Sequence, residues 1–98
     1  NKLVKNKKLQ HYINTLGTFL SLHSTRPETF RGYRFALVEG ATPFALSTPD
    51  GTVFISEGLL NIIYHEDELA AVLAHEIAHV ALKHVEASIK KANQVSLL

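Results

Sequence analysis

His75 and His79 flank Glu76 and two further residues inside the stretch "EDELAAVLAHEIAHVALKH", residues 66–84. Leu69, Val72, Leu73, Ile77 and Val80 recur there at spacings of three and four, so the stretch is expected to form one long helix with an apolar face. Glu66 and Asp67 suit its amino end, where the helix dipole favours negative charge. Ala70, Ala71, Ala74, Ala78 and Ala81 leave room for close packing. On such a helix the two imidazoles leave the same face about one turn apart and can grip one ion. Neutral imidazole suits zinc, and a pair leaves coordination positions for a further protein ligand and for water. Glu76 can reach that water and take its proton as a general base. The bland alternative is that these are ordinary helix residues. Against it stands the desolvation cost of His, Glu and His within two turns of an apolar helix that has neither metal nor polar partners.

The third ligand is the gap. The metzincin pattern would require glycine at position 82 and histidine at position 85, where this chain has Leu82 and Val85. His84 lies nine residues past His75, on about the opposite side of a straight helix, and reads as a structural hydrogen-bonding histidine. Glu86 would need an unusual bend to converge. His11, His23 and His65 lack ligand spacing and read as surface residues.

Upstream, Leu9, Tyr12, Ile13, Leu16, Phe19 and Leu20 place an apolar stripe on a packing helix from about Val4 to Leu22. "HSTRPETFRG", residues 23–32, reads as a loop. "YRFALV" at 33–38, "FAL" at 44–46 and "TVFI" at 52–55 read as strands. "STPDG" between the last two carries the turn signals of a hairpin. Ser56 is placed to cap a short helix bearing Leu59, Leu60, Ile62 and Ile63. After about Ser88 the helical signal weakens. The expected fold class is therefore α+β: an amino-terminal helix, a small sheet with a β-hairpin, then a long helix carrying the histidines.

The chain has 98 residues, starts at Asn1 and contains no methionine, which reads as a piece of a longer polypeptide holding one domain or part of one. Its composition, 46% hydrophobic and 19% charged, fits a folded globular chain. The absence of cysteine excludes disulfides, thiolate metal sites and thiol nucleophiles. No apolar run is long enough to span a bilayer. The formal net charge is +1, and its basic cluster at Lys2, Lys5, Lys7 and Lys8 reads as a solvated helix end rather than a nucleic-acid patch. No glycine-rich phosphate loop points to a nucleotide or organic cofactor.

Residues 66–84 resemble the active-site helix of the HtpX-like and BepA-like zinc metalloendopeptidases, gluzincins related to the OMA-type and CAAX prenyl proteases. "ATPFALSTPDGTVFISEGLLNII", residues 41–63, resembles the same family's strand, turn, strand and short helix. The resemblance implies a zincin-like domain with one zinc ion per full catalytic domain, His75 and His79 as ligands and Glu76 as the catalytic residue. It also implies a third ligand, a glutamate on a downstream helix, so residues 1–98 would be the amino-terminal portion of a single catalytic domain, ending before that ligand. Thr42 and Pro43 before Phe44, and Asp50 before Gly51, depart from the family's usual asparagine and double glycine. Those departures bear on the shape of the substrate edge.

The hairpin could serve by letting an extended peptide add to an exposed strand, with Val53, Phe54, Ile55 and Ser56 as the candidate edge. The alternative is a small sheet that only supports the helix, with Phe44 and Phe54 in the core. The expected function is a zinc-dependent endopeptidase acting on protein or peptide substrates. Its rivals are a non-catalytic metal-binding domain, such as a degenerate homologue, and a helical protein-interaction domain. Relatives point to the bacterial cell envelope or periplasm, with membrane association left to segments outside this chain. The substrate and the oligomeric state are not legible in the sequence.

Overall fold

A computed structural model describes residues 3–24 and 32–96. The order of elements is α1 (Lys7–Leu22), β1 (Arg34–Val38), β2 (Ala45–Ser47), β3 (Thr52–Ser56), α2 (Glu57–Ile62) and α3 (Glu66–Ser96). The α+β arrangement expected from the sequence is the one observed. Residues 25–31 of the expected loop lie outside the described residues.

α1 begins three residues later than expected because Asn6 caps it, its side-chain carbonyl accepting from Leu9 N at 3.1 Å. Its buried line is also rotated from the apolar stripe. Ile13, Gly17 and Ser21 are buried, whereas Phe19 is 58% exposed. Gly17 faces the Phe35 ring so closely that a Cβ there would lie 2.5 Å from Phe35 Cζ. A small residue thus decides which face of the helix meets the sheet.

The sheet has the order β1-β3-β2, with β1 parallel and β2 antiparallel to β3. The expected hairpin joins β2 to β3. Its turn is held by Asp50, which accepts from the Thr48 hydroxyl and from Thr52 N and pairs with Arg34 at 2.8 Å. The Thr48 hydrogen bond, then those from Thr52, and the Arg34 charge keep the Asp50 carboxyl below the usual carboxylate range. Gly51 takes the positive φ of 100° that ends the turn.

Val53 and Ile55 of β3 point into the core with Ile13, Phe35, Leu37, Leu69, Leu73 and Ile77. Phe54 alternates to the opposite face. There it lines an apolar hollow of about 260 Å³ with Leu3, Val38, Phe44 and Leu46, so Phe44 and Phe54 are not core residues as expected. Both helices instead cover the Val53–Ile55 face. Tyr12 of α1 donates its hydroxyl hydrogen to Glu66 at the start of α3, which fixes one helix against the other and raises the phenol above its ordinary pKa.

Ser56 caps α2 as expected, accepting from Leu59 N at 3.1 Å, and its hydroxyl also receives Phe44 N at 2.9 Å. One buried side chain therefore ties the start of β2 to the helix that leads into α3. Glu68 accepts from Tyr64 N and His65 N, closing the first turn of α3. From there Leu69, Leu73, Ile77 and Val80 form its buried line. Of the five alanines expected to pack closely, only Ala81 is buried. α3 also continues as helix well past Ser88, where the sequence signal weakens.

The outer edge of β1 is occupied. In its parallel ladder Arg34 turns its N–H to Gly51 O on the β3 side, so Phe35 and Leu37 turn their backbone groups outward. The side-chain amide of Gln10 donates to Phe35 O at 2.7 Å and accepts from Leu37 N at 3.4 Å. Val4 N takes Leu37 O at 3.0 Å.

Candidate metal and peptide site

His75, Glu76 and His79 sit in the amino-terminal half of α3, where Leu69, Leu73 and Ile77 pack into the core. Their ring centroids place the two imidazoles 4.2 Å apart, and one ligand atom from each of the three residues lies within 4.8 Å of the others. Glu76 falls on the margin of the buried line, between Leu73 and Val80, and is only 7% exposed. His75 is exposed and the His79 side chain is 45% exposed, so the imidazoles face outward while the carboxylate is sheltered. Glu76 Oε1 lies 3.9 Å from His79 Nδ1. Two imidazoles beside a sheltered carboxylate form a donor set that can hold a divalent metal ion, with the solvent side open.

α3 runs without a break through residue 84, so nothing turns its backbone to bring position 84 round to the pair. The His84 side chain lies outside the described residues. Glu86 is exposed further along the same helix and does not join the cluster. His11, His23 and His65 are exposed, as expected, and do not join the cluster. His23 closes the end of α1, with Nδ1 2.8 Å from Phe19 O.

The candidate edge at Val53, Phe54, Ile55 and Ser56 is corrected by the sheet order. β3 is the central strand, paired with β1 on one side and β2 on the other, and Val53, Ile55 and Ser56 are buried. A strand with both ladders filled has no backbone groups left to offer. Among the described residues the unpaired strand edge is that of β2, where Ala45 is half-buried and Ser47 buried. Ser56 N bonds Phe44 O and Thr48 N bonds Thr52 O, so in this antiparallel pair Phe44, Leu46 and Thr48 face β3 and the backbones of Ala45 and Ser47 face outward. One of those outward groups is taken, because Lys83 Nζ donates to Ser47 O at 2.8 Å.

Lys83 is the residue that sequence reasoning missed. It lies one turn beyond His79 on the same helical row, and that spacing could have drawn notice to it. Its partner is a backbone carbonyl 36 residues away, for which the sequence carries no signal.

The sequence pattern of peptidase family M48 matches residues 4–98. The chain belongs to peptidase family M48. Its M48 relatives include the beta-barrel assembly-enhancing protease of Yersinia pestis, 32% identical over 98% of this chain and 19% of that protein. The protein of the same description from Escherichia coli K12 is 32% identical over 85% of this chain and 17% of its own length. The mitochondrial metalloendopeptidase OMA1 of Schizosaccharomyces pombe is 42% identical over 63% of this chain and 18% of its own. The M48 chain described here thus spans about a fifth of the length of the curated relatives it matches.

Proposed function

We propose that the protein is a zinc-dependent endopeptidase acting on protein or peptide substrates, with His75 and His79 as two zinc ligands and Glu76 as the general base. Membership of M48 supports the reaction class. The observation that carries the assignment of roles is the sheltered Glu76 carboxylate beside two outward imidazoles on one helix. Zinc bound there supplies a Lewis acid and makes water acidic enough to be deprotonated near neutral pH. Glu76 would take a proton from the water whose oxygen bonds to the scissile carbonyl carbon, and would pass it to the leaving nitrogen as the C–N bond breaks. The core beneath α3 holds the three side chains in place during the exchange.

An extended substrate pairs with the outward groups of β2 at Ala45 and Ser47, which lie alongside the helix bearing the histidines. The chain is the amino-terminal portion of the catalytic domain, and a glutamate downstream completes a site for one zinc per domain. The bacterial cell envelope or periplasm is the compartment that fits best. It is supported by relatives named beta-barrel assembly-enhancing proteases, which match 98% and 85% of the chain against 63% for the OMA1 relative. Among the described residues no helix is long and apolar enough to cross a membrane.

The test is Glu76→Gln in the full-length gene product. Zinc content should stay near that of the parent while peptide hydrolysis falls by at least about a thousandfold, on the order of 4 kcal/mol of transition-state stabilisation. His75→Ala and His79→Ala should lose both zinc and activity. Hydrolysis that survives in Glu76→Gln would remove the role given to Glu76.

A further inference from the structure

Lys83 stands where a peptide on the β2 edge would have to pass. Its ammonium is 2.8 Å from Ser47 O, whereas an added strand would run about 4.8 Å from β2. The charged nitrogen therefore occupies the strip between the two backbones, at the outward carbonyl that a substrate N–H would otherwise use. It has three donors and spends one on Ser47. No carboxylate lies within 4 Å of it among the described residues, where the only Lys or Arg ion pair is Arg34 with Asp50. It is half-buried, which limits how well water screens it.

We propose that Lys83 is a specificity-determining residue that recognises a carboxylate on the substrate at the Ser47 end of the β2 edge. The inference rests on the reading of that edge as the peptide site. A substrate N–H placed there would meet the ammonium, donor against donor. A carboxylate oxygen instead accepts from the two free N–H groups and neutralises an unpaired cation. Backbone pairing then runs past Ala45 and Ser47 N and ends at Lys83. The position fixes where a substrate sits along the edge, and so which of its bonds lies beside Glu76. An Asp or Glu side chain, or the free carboxyl terminus of the peptide, would supply the same group.

Binding tests the inference without requiring turnover. Fluorescent peptides of neutral sequence are titrated, by anisotropy, into the full-length protein carrying Glu76→Gln. One set has an amidated terminus and Asp or Lys scanned along it; a second differs only in a free or amidated carboxyl terminus. One register of Asp should bind about fivefold more tightly than Lys at the same place, as expected for a partly screened ion pair. A preference for Asp within the scan assigns the side chain as the source; a preference confined to the free terminus assigns the terminal carboxylate. Either preference should shrink in high salt, vanish in Lys83→Gln, persist in Lys83→Arg and reverse in Lys83→Glu. A Lys83 that merely tethers β2 would weaken all peptides alike, and equal loss across the set overturns the proposal. So does the absence of any charge preference, or of any peptide binding. Failure of the peptidase reading shows separately, as zinc-loaded parent protein that binds these peptides and leaves them uncut.

Discussion

Ser47 carries two roles that pull in different directions. Its carbonyl faces the open edge and holds Lys83, while its hydroxyl is buried and is the one buried side-chain polar atom without a partner among the described residues. A buried hydroxyl left unpaired costs about 1–2 kcal/mol. Ser47→Ala is therefore expected to leave the Lys83 contact in place and raise stability by about 1 kcal/mol. The check is a higher urea midpoint with an unchanged slope; a lower midpoint would show that the hydroxyl has a use. At this scale the sequence was readable wherever chemistry is local. The clustering of His75, Glu76 and His79 and the cap at Ser56 both follow from short spacings. Lys83 and Ser47 did not, because their bond joins residues that only the folded chain brings together.

Periodicity located the elements, since an apolar residue every third or fourth position has one geometric meaning. It placed Leu9, Ile13, Leu16 and Leu20 of α1 correctly against the core but set the face too far round, leaving Tyr12 and Phe19 exposed, because the closest contact there is made by a residue with no side chain. Gly17→Ala tests that contact. Helix propensity alone would favour alanine by about 1 kcal/mol. The added methyl would stand 2.5 Å from the buried Phe35 ring, so the expected outcome is a net loss of about 1–2 kcal/mol by overpacking. Combining it with Phe35→Leu should recover part of the loss, and simple additivity of the two changes in thermal unfolding would show that the contact is not the cause. Strand order was hidden for a related reason. The hairpin announces itself through Asp50 and Gly51, but the parallel pairing of Arg34–Val38 with Thr52–Ser56 depends on a connection that no local signal encodes. That pairing is what puts β3 in the centre and moves the open edge to β2.

In the whole molecule, α3 is about 46 Å long at the usual helical rise, in a body whose longest extent is 50 Å. Its buried line ends at Ala81, and Leu82, Val85 and Ile89 are 55%, 40% and 56% exposed. On the proposed reading, downstream chain packs back along that stretch and brings the remaining ligand. Full-length protein purified without added metal should then hold close to one zinc per chain by elemental analysis, and the 98-residue piece much less. Equal content in both would place the whole ligand set within these residues. The Gln10 amide has a different consequence. It presents a donor and an acceptor to β1 much as another peptide backbone would, so the sheet is terminated on that side by a helix side chain together with Val4. Each copy can then grow by pairing in one direction only. Among the described residues, edge-to-edge association between copies would close after two, and the stacking of strand upon strand that builds a fibril would have no second side from which to continue.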